Sequence, residues 1–335
     1  MTTPLRWGIL GTGQIARQFA DALRELPDAR LQAVASRQLA GAQAFIAGLH
    51  AGPGNTLGAI TSYGDYQSLA QDASVDVIYV ATPHSQHADN TLMALHAGKP
   101  VLCEKPFTVN ARQAREAVAR RKKLFLMEAM WSRFMPAMQE AKSLVDAGEI
   151  GRPHLLQAGF GFASDLGPEH RLRNPALGGG GLLDIGIYPL SIAAYLMGDI
   201  ASAQAVAELG DTGVDEQTAF ILRHKDGGLS SCACSIKAST PAELVISGER
   251  GHIRLHSPFY RCAELTIALD NAEPRKISLP YLGNGYTHQA MEVMRCLRAG
   301  LAESPLMPLD ESIALMGWMD NMRRQFGLGY AEDQP

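Results

Sequence analysis

The sequence predicts an α/β protein with a doubly wound parallel sheet in its first part and an open, mostly antiparallel sheet in its second. From residue 5 to about 130, short apolar runs alternate with longer helical patterns, as in parallel sheets covered by helices on both faces. After Gly148 and Gly151 the apolar residues alternate with a period of two. The length of 335 residues favours two domains, which we place at 1–130 and 131–335.

Each element has its own signal. The strands of the first domain are expected in the runs LRWGIL, LQAVAS, VDVIYVAT, PVLCEK and LFLMEA, which are separated by helical patterns such as 15–26 and 112–121. Strand patterns of the second domain occur near 154–162, 203–209, 216–224, 229–238 and 243–255. Helical periodicity returns over 286–326, and we expect the C-terminal helices from 286 to pack back on the first domain.

Composition and charge argue against several classes of protein. A hydrophobic content of 46% with 19% charged residues fits a packed globular protein. The net charge of -4 and the scattered Lys and Arg residues give no basic stripe, so no nucleic-acid partner is expected. Asp184 and Pro189 interrupt the most apolar stretch, so no membrane span is expected. Five cysteines without CxxC spacing, and no visible export signal, predict a cytoplasmic protein without disulfides.

The first strand leads directly into a Gly-rich turn. Residues 5–16 read LRWGILGTGQIA, in which an apolar run ends in the turn and a helical pattern follows at once. Such a turn presents the N–H groups and the positive dipole of a helix N-terminus to a pyrophosphate, so the first ligand to expect is a dinucleotide. Ala16 completes a GxGxxA pattern that lets helix and strand approach closely. The turn residues expected against the dinucleotide are Gly11, Thr12, Gly13, Gln14 and Ile15.

The end of the second strand indicates which dinucleotide binds. An NAD site usually places Asp or Glu on the ribose hydroxyl about 20 residues beyond the Gly-rich turn. Here the strand ends in Ser36 and Arg37, and no acidic residue occurs between Asp28 and Asp65. Arg37 can pair with a 2′-phosphate, and Ser36 offers a hydroxyl donor. The sequence therefore favours NADP over NAD, with an ordinary surface role for Arg37 as the alternative.

The fourth and fifth strands end in two turns that should border the ligand, because ligands of open parallel sheets lie outside the carboxyl ends of the strands. Lys105 is a candidate catalytic cation, since Pro106 disfavours α geometry before it and keeps the ammonium on a loop. A Lys that only caps the strand end or forms a salt bridge there is the alternative. No metal site is predicted, since the two histidines of the first turn lack a third ligand. The expected cofactor contacts are Thr82, Pro83, His84 and His87 in the first turn, and Glu104 and Lys105 in the second.

Residues 178–188, GGGGLLDIGIY, supply further candidates. Four glycines let the backbone approach a ligand closely, and the spacing of Asp184 and Tyr188 puts both on one face of a helix. Pro189 cannot donate to the Ile185 carbonyl, so we expect a kink or a late helix start. A Tyr, an Asp and a Lys that converge on a hydroxyl form an acid/base group, because an ammonium lowers the pKa of a phenol. The alternative is a half-buried Tyr188 whose hydroxyl bonds to Asp184.

Together these motifs resemble the Gfo/Idh/MocA oxidoreductase family over nearly the whole chain. The resemblance rests on GILGTGQIA, ATPHSQH, CEKPF, MEAMWSRFMP, GGGGLLDIGIYP and ESPLMPLDES. It implies an N-terminal Rossmann domain and a C-terminal α/β domain whose open sheet forms a homodimer or a larger assembly. It also implies that Lys105 and Tyr188 are the catalytic pair, supported by Asp184. Many relatives have His in place of Tyr188, and this departure points to the dihydrodiol and xylose branch of the family.

The resemblance extends the expected site and gives it a reaction. Tyr286 resembles a position that borders the cofactor, and Arg133 is expected at the cofactor or the substrate wall. The implied reaction is reversible hydride transfer between NADP and a hydroxyl-bearing carbon of a sugar, such as D-xylose, or of a trans-dihydrodiol. A glycoside hydrolase that retains its nicotinamide cofactor and a non-catalytic NADP(H) sensor stay open as alternatives. The residues expected in the substrate wall, with a place in the core as the alternative, are Trp131, Phe160 and Phe162.

Overall fold

A computed structural model describes residues 3–51 and 58–334 of the chain. The chain divides into two compact units. The first unit comprises the described residues up to Trp131 together with Leu282–Ile313, and the second comprises Ser132–Tyr281 and the residues from Ala314 onward.

The helices and strands alternate along the first unit and separate into a sheet and its helices in the second. The helices are α1 (Gln14–Arg24), α2 (Leu39–His50), α3 (Tyr66–Ala70), α4 (His87–His96), α5 (Ala111–Arg120), α6 (Pro136–Asp146), α7 (Ile187–Met197), α8 (Tyr286–Arg298) and α9 (Leu309–Gln325). The strands are β1 (Leu5–Leu10), β2 (Ala29–Ala35), β3 (Thr61–Tyr63), β4 (Val77–Val80), β5 (Val101–Glu104), β6 (Leu126–Ala129), β7 (Pro153–Gly161), β8 (Ile200–Leu209), β9 (Asp215–His224), β10 (Leu229–Ser235), β11 (Leu244–Gly248), β12 (Gly251–Leu255), β13 (Glu264–Leu269) and β14 (Arg275–Ser278).

The first unit contains a parallel sheet in the order β3-β2-β1-β4-β5-β6, so the predicted doubly wound fold is confirmed. The five runs assigned from sequence are β1, β2, β4, β5 and β6. The sequence did not reveal β3, because three residues are too few to show a period.

An aromatic cluster fixes α1 on this sheet. The ring of Trp7 on β1 meets Phe19 of α1 edge-on, with the ring centroids 5.1 Å apart. Phe19 also stacks on Tyr79 of β4, with a centroid distance of 3.9 Å. All three side chains are fully buried, and burial of each aromatic ring contributes roughly 2 to 3 kcal/mol. Because the cluster spans β1, α1 and β4, it fixes the start of α1 relative to the ends of both strands.

The second unit contains an open sheet in the order β14-β13-β12-β11-β7-β10-β9-β8, which confirms the predicted mostly antiparallel sheet. All neighbours are antiparallel except β7 and β10. The run 243–255 is a hairpin of β11 and β12, since the chain turns at Glu249 and Arg250 before Gly251 with a φ of +151°. β13 and β14 follow beyond the last run that the sequence indicated.

In the described part of the chain, α6 and α7 pack on one face of this sheet. α7 packs on β7 and β10, and α6 packs on β12 and β13, so alternate strand residues are buried. The other face, which we call the open face, carries Val206, Ile221 and Leu229 with 71%, 45% and 46% of their surface exposed. Pro175–Met197 is long and apolar enough to span a membrane by composition alone, but 89% of its most apolar window is buried, as in a core helix.

The kink expected near Pro189 takes the form of a π turn. Residues Leu182–Gly186 are π-helical and α7 follows at Ile187, so Pro189 is the third residue of the α-helix. A proline there removes the N–H that would bond the Ile185 carbonyl, which disfavours a continuous α-helix through this segment. π turns are rare and frequently occur at functional sites.

Candidate functional site

The Gly-rich turn between β1 and α1 has the shape of an anion site. Gly11 has a φ of +107°, and a Cβ there would lie 2.5 Å from the Ala81 carbonyl oxygen, so the turn requires glycine. A Cβ on Gly13 would meet no atom of the described residues within 4 Å, which leaves open space before the helix. α1 has no side-chain cap and no acidic residue in its first turn. Its N-terminus therefore offers N–H groups and a positive dipole without a competing carboxylate.

The segment after β2, the strand next to β1 in the sheet, carries the cation Arg37. The Ser36 backbone N–H donates to Tyr63 O at 3.2 Å, and Arg37 lies exposed before α2. The first acidic residue that follows, Asp65, accepts the Ser68 N–H at 2.7 Å and caps α3. Burial raises the pKa of Tyr66, and the charge of Arg37 opposes that shift.

The turn after β4 is joined to the turn after β5 by one imidazole. His87 lies at the start of α4 and is buried, with Nε2 2.9 Å from Thr82 O and Nδ1 2.8 Å from Pro106 O. Asn90 also donates to Thr82 Oγ1 at 3.1 Å. His84 opens a short 3-10 turn between Pro83 and α4, with its ring centroid 5.6 Å from that of His87. Since both ring nitrogens of His87 face carbonyl oxygens, this side chain fixes the two turns; its expected contact with a cofactor stays a prediction.

Buried carboxylates fix the loop that carries Lys105. Tyr79 donates its hydroxyl to Glu104 Oε1, while Glu104 Oε2 accepts the Lys105 N–H at 3.2 Å. On the other side of the loop, Glu128 of β6 accepts the Phe107 N–H at 3.0 Å. The peptide between Lys105 and Pro106 is cis. Glu104 and Glu128 are both buried, so the backbone around Lys105 is bound to side chains of the sheet.

Tyr79 is in its neutral form, which allows it to donate the hydrogen bond to Glu104. Burial, and then the charge of Glu104, raise the pKa of Tyr79 well above its usual value. The phenol therefore stays neutral and remains a hydrogen-bond donor to the Glu104 carboxylate at any physiological pH.

Trp131 and Tyr286 meet inside the first unit. Their rings stack with centroids 4.3 Å apart, and both side chains are buried. Tyr286 is the first residue of α8, and its N–H donates to Asn284 Oδ1 at 3.2 Å. Asn284 in turn donates to Gln18 O of α1 at 2.7 Å. These contacts attach the start of α8 to α1, the helix that follows the Gly-rich turn.

Asp184 and Tyr188 lie in the second unit, on the π turn and α7. Asp184 is buried, and its Oδ1 lies 2.9 Å from Nη1 of Arg171, a half-exposed side chain that the sequence did not single out. This pair keeps a buried carboxylate next to a cation that reaches solvent.

Tyr188 belongs to an aromatic cluster with Phe160 and Tyr260. Phe160 meets the Tyr188 ring edge-on at 5.5 Å and stacks on Tyr260 at 4.3 Å, while Tyr188 and Tyr260 are 5.5 Å apart. Phe162, with its centroid 6.2 Å from Phe160, packs against a buried apolar group that includes Ile185. Tyr260 escaped sequence reasoning because it follows β12 in a short 3-10 turn without a motif.

Arg133 occupies the interior of the second unit. Its Nη2 donates to Ser191 O at 3.1 Å and Oγ at 3.0 Å, and its guanidinium lies 4.3 Å over the Tyr195 ring. These are the contacts of an arginine that stabilises α7. Its expected role at the cofactor stays a prediction. Among residues 3–51 and 58–334, no three His, Cys, Asp or Glu side chains could hold a metal ion.

Comparisons with known proteins match two family models to different parts of the chain. A model described as "Oxidoreductase family, NAD-binding Rossmann fold" matches residues 5–128, and a "GFO/IDH/MocA C-terminal domain" model matches 138–254. The trans-1,2-dihydrobenzene-1,2-diol dehydrogenase of Mus musculus is 37% identical over 344 residues, with 98% of this chain and 99% of that one covered. The D-xylose 1-dehydrogenase (NADP(+)) of Hypocrea jecorina is 36% identical, with 98% and 93% covered. The crystal structure of an aldose-aldose oxidoreductase from Caulobacter crescentus, in complex with glycerol, superposes with a TM-score of 0.84 at 26% identity, with 96% and 97% covered.

His87 should make the protein sensitive to acid. Burial, with the nearby charges of His84 and Lys105, lowers the pKa of His87 to about 3, although hydrogen bonds to the two carbonyl oxygens favour the charged ring. The unfolded state takes up a proton below about pH 6.5 and the folded state does not, so stability is complete above that pH and falls as the pH drops toward 3. At pH 4.5 we expect His87 to cost about 2 to 3 kcal/mol of the free energy of unfolding.

Urea denaturation at pH 7.5, 6.0 and 4.5 tests this expectation. His87→Gln should show a weaker loss of stability with falling pH than the wild type, because it lacks the titrating ring. The control His154→Gln, at an exposed position, should follow the wild type. A wild type that gains stability relative to His87→Gln as the pH falls would show that the two carbonyl oxygens hold His87 in its charged form.

Proposed function

Because the chain belongs to the Gfo/Idh/MocA oxidoreductase family, we propose that it is an NADP-dependent dehydrogenase acting on a sugar, such as D-xylose, or on a trans-dihydrodiol. The reaction is a reversible hydride transfer to or from a hydroxyl-bearing carbon. The observation that carries the proposal is the first unit's combination of an open Gly-rich turn with a lysine on a loop fixed by Glu104 and Glu128. The named activities of the dihydrodiol and xylose dehydrogenases indicate the substrate classes.

The first unit offers groups that suit each part of the coenzyme. The space in front of Gly13 and the uncapped start of α1 suit a pyrophosphate. Ser36 and Arg37 suit a 2′-phosphate, and the nearest following carboxylate, Asp65, is engaged in capping α3. We therefore assign NADP as the preferred coenzyme. When bound, it supplies the nicotinamide carbon that accepts or returns the hydride.

The proposed acid/base chemistry uses Tyr188 and Lys105. As the substrate is oxidised, its C–H bond gives up the hydride and its hydroxyl proton passes to the phenolate of Tyr188. Lys105 stabilises the negative charge that develops on the substrate oxygen. Asp184, paired with Arg171, is the third member of the proposed acid/base group. In reduction, Tyr188 returns the proton to the oxygen.

The aromatic cluster around Tyr188 suits the proposed substrates. Phe160 and Tyr260 offer apolar ring surface to the carbon skeleton of a sugar or a cyclic diol. The hydroxyl groups of the substrate would form hydrogen bonds with polar side chains. Oxidation of an aldopyranose yields a lactone, and oxidation of a trans-dihydrodiol yields a ketone that tautomerises to a catechol.

We further propose a cytoplasmic homodimer that pairs through the open face of the second unit. Val206, Ile221 and Leu229 leave this face partly apolar, and Ala219 and Ala233 keep it flat between them. Large exposed apolar patches are typical of interaction sites. The five cysteines are all buried and free, which suits a reducing compartment.

The first test measures turnover and coenzyme preference. Purified protein is assayed with a panel of aldoses and trans-dihydrodiols, with NADP or NAD, at the absorbance of the reduced coenzyme. We expect many turnovers and a higher kcat/KM with NADP. Arg37→Leu should lower kcat/KM with NADP about ten- to a hundredfold, because a charge-assisted bond to phosphate contributes about 1.5 to 3 kcal/mol. Arg30→Leu, at the exposed start of β2, is the control.

Three results would contradict the proposal. Activity with NAD alone overturns the assignment of Ser36 and Arg37. A coenzyme that stays bound and returns to its starting redox state during glycoside cleavage indicates a hydrolase. NADP binding without turnover of any panel member indicates a sensor.

The second test addresses the acid/base pair. Tyr188→Phe should lower kcat about a hundredfold or more, because the phenol no longer transfers the proton, while NADP binding stays within about threefold of the wild type. Lys105→Met should lower kcat by a similar factor through loss of the cation. Tyr195→Phe, on the same helix under Arg133, is the matched control. Full turnover in either Tyr188→Phe or Lys105→Met would show that the pair is not catalytic.

The third test measures assembly. Sedimentation equilibrium should give twice the chain mass of 36.0 kDa. The double variant Val206→Glu with Ile221→Glu should sediment as a monomer, because carboxylates would have to be buried in the pairing face. Met291→Glu, an equally exposed apolar position on α8, should remain a dimer. A monomeric wild type, or a double variant that stays dimeric, would rule out pairing through the open face.

A further inference from the structure

Two buried side chains outside the proposed acid/base group bind the backbone that leads into it. We propose that Asp215 and Tyr330 are positioning residues that hold the segment 178–186 and thereby place Asp184 and Tyr188 for the reaction. The inference rests on the proposed function, since it assigns Asp184 and Tyr188 to that reaction.

Asp215 binds the start of the π turn. It is the first residue of β9 and has no exposed surface. Its Oδ2 accepts the Leu182 N–H and the Thr218 hydroxyl, each at 2.7 Å. The first N–H groups of a helix have no partner within the helix, so a carboxylate there satisfies a donor and interacts favourably with the dipole. Burial raises the pKa of Asp215 to about 6, so the carboxylate is ionised at pH 8.

Tyr330 binds the same segment from the C-terminal part of the chain. Its hydroxyl donates to Gly179 O, and its side chain is buried. Arg323 of α9 lies 4.8 Å over the Tyr330 ring and pairs with Asp333 at 2.8 Å. The Tyr330 N–H donates to Asp333 Oδ2 at 2.9 Å. The phenol is therefore fixed to α9 before it reaches the Gly-rich segment.

The two side chains meet at Gly180. This residue has a φ of +119°, and a Cβ on it would lie 2.9 Å from Tyr330 Oη and against Asp215 Oδ1. The Gly180 carbonyl in turn accepts the Asp184 N–H at 3.2 Å. A shift of Gly180 would consequently move the backbone of Asp184, and the π turn would carry the shift toward Tyr188.

A buried hydrogen bond away from the segment 178–188 can serve as a control, because it stabilises the unit without positioning that segment. A buried hydrogen bond elsewhere in the same sheet, between His224 and Ser230 at 2.8 Å, also stabilises the second unit. That bond touches no residue between 178 and 188. Its loss should lower stability without affecting the reaction, so Ser230→Ala is the matched control.

The experiment uses the full-length chain at pH 8 with Tyr330→Phe, Asp215→Asn and Ser230→Ala. We expect kcat to fall about three- to tenfold in Tyr330→Phe and about ten- to a hundredfold in Asp215→Asn, with KM and NADP binding within about twofold of the wild type. Hydrogen–deuterium exchange should be faster at the amides of 180–186 in both variants. Ser230→Ala should leave kcat and this exchange unchanged.

Each outcome decides the inference. If exchange at 180–186 is unchanged in both variants, Asp215 and Tyr330 do not hold the segment, whatever the activity of the variants. Faster exchange with a kcat like that of Ser230→Ala overturns the positioning role. Should Asp215→Asn fail to fold, Tyr330→Phe alone decides, since it removes one hydroxyl. A wild type that turns over no panel member overturns the proposed function, and the exchange measurement still decides whether Asp215 and Tyr330 hold the segment.

Discussion

The loop after β5 is fixed because its backbone groups bond to side chains buried in the first unit. Glu104 accepts the Lys105 N–H, His87 faces the Pro106 carbonyl, and Glu128 accepts the Phe107 N–H. A buried polar group without a partner costs about 1 to 3 kcal/mol, so these contacts disfavour any other path for the loop. The Lys105 side chain therefore extends from a fixed backbone, which limits the positions that its ammonium group can reach.

In the second unit, the Gly-rich segment is also held by hydrogen bonds to buried side chains, but these come from a different set of residues. Asp215 accepts the Leu182 N–H and Tyr330 donates to the Gly179 carbonyl, so the Gly-rich segment is bound on both sides of Gly180. Glycine alone would leave this backbone free to adopt many conformations. The glycines permit the close approach of Asp215 and Tyr330, and those side chains remove the freedom that the glycines bring.

The sequence predicted the features that depend on neighbours along the chain. Apolar runs and helical periods predicted the parallel sheet, and the spacing of Gly11 and Gly13 predicted the turn before α1. It did not predict the partners that arrive from far away. Tyr330 lies 151 residues from Gly179, and Tyr260 reaches Phe160 from another strand connection, so no local pattern marks either contact. Asp215 reads as an ordinary strand-end carboxylate until its neighbours are known.

The spacing rule that linked Asp184 to Tyr188 applies to an α-helix, and this segment begins as a π turn. A π turn has bonds from residue i to i+5, so α-helical spacing alone does not describe this segment, and the shared face of Asp184 and Tyr188 stays a prediction. The structure gives Asp184 a partner outside the helix, Arg171, while Tyr188 contacts Phe160 and Tyr260. The carboxylate thus has a cationic neighbour and the phenol an aromatic one. Because these surroundings come from different parts of the chain, substitutions at Arg171 and at Tyr260 can tune the charge and the shape of the proposed site separately.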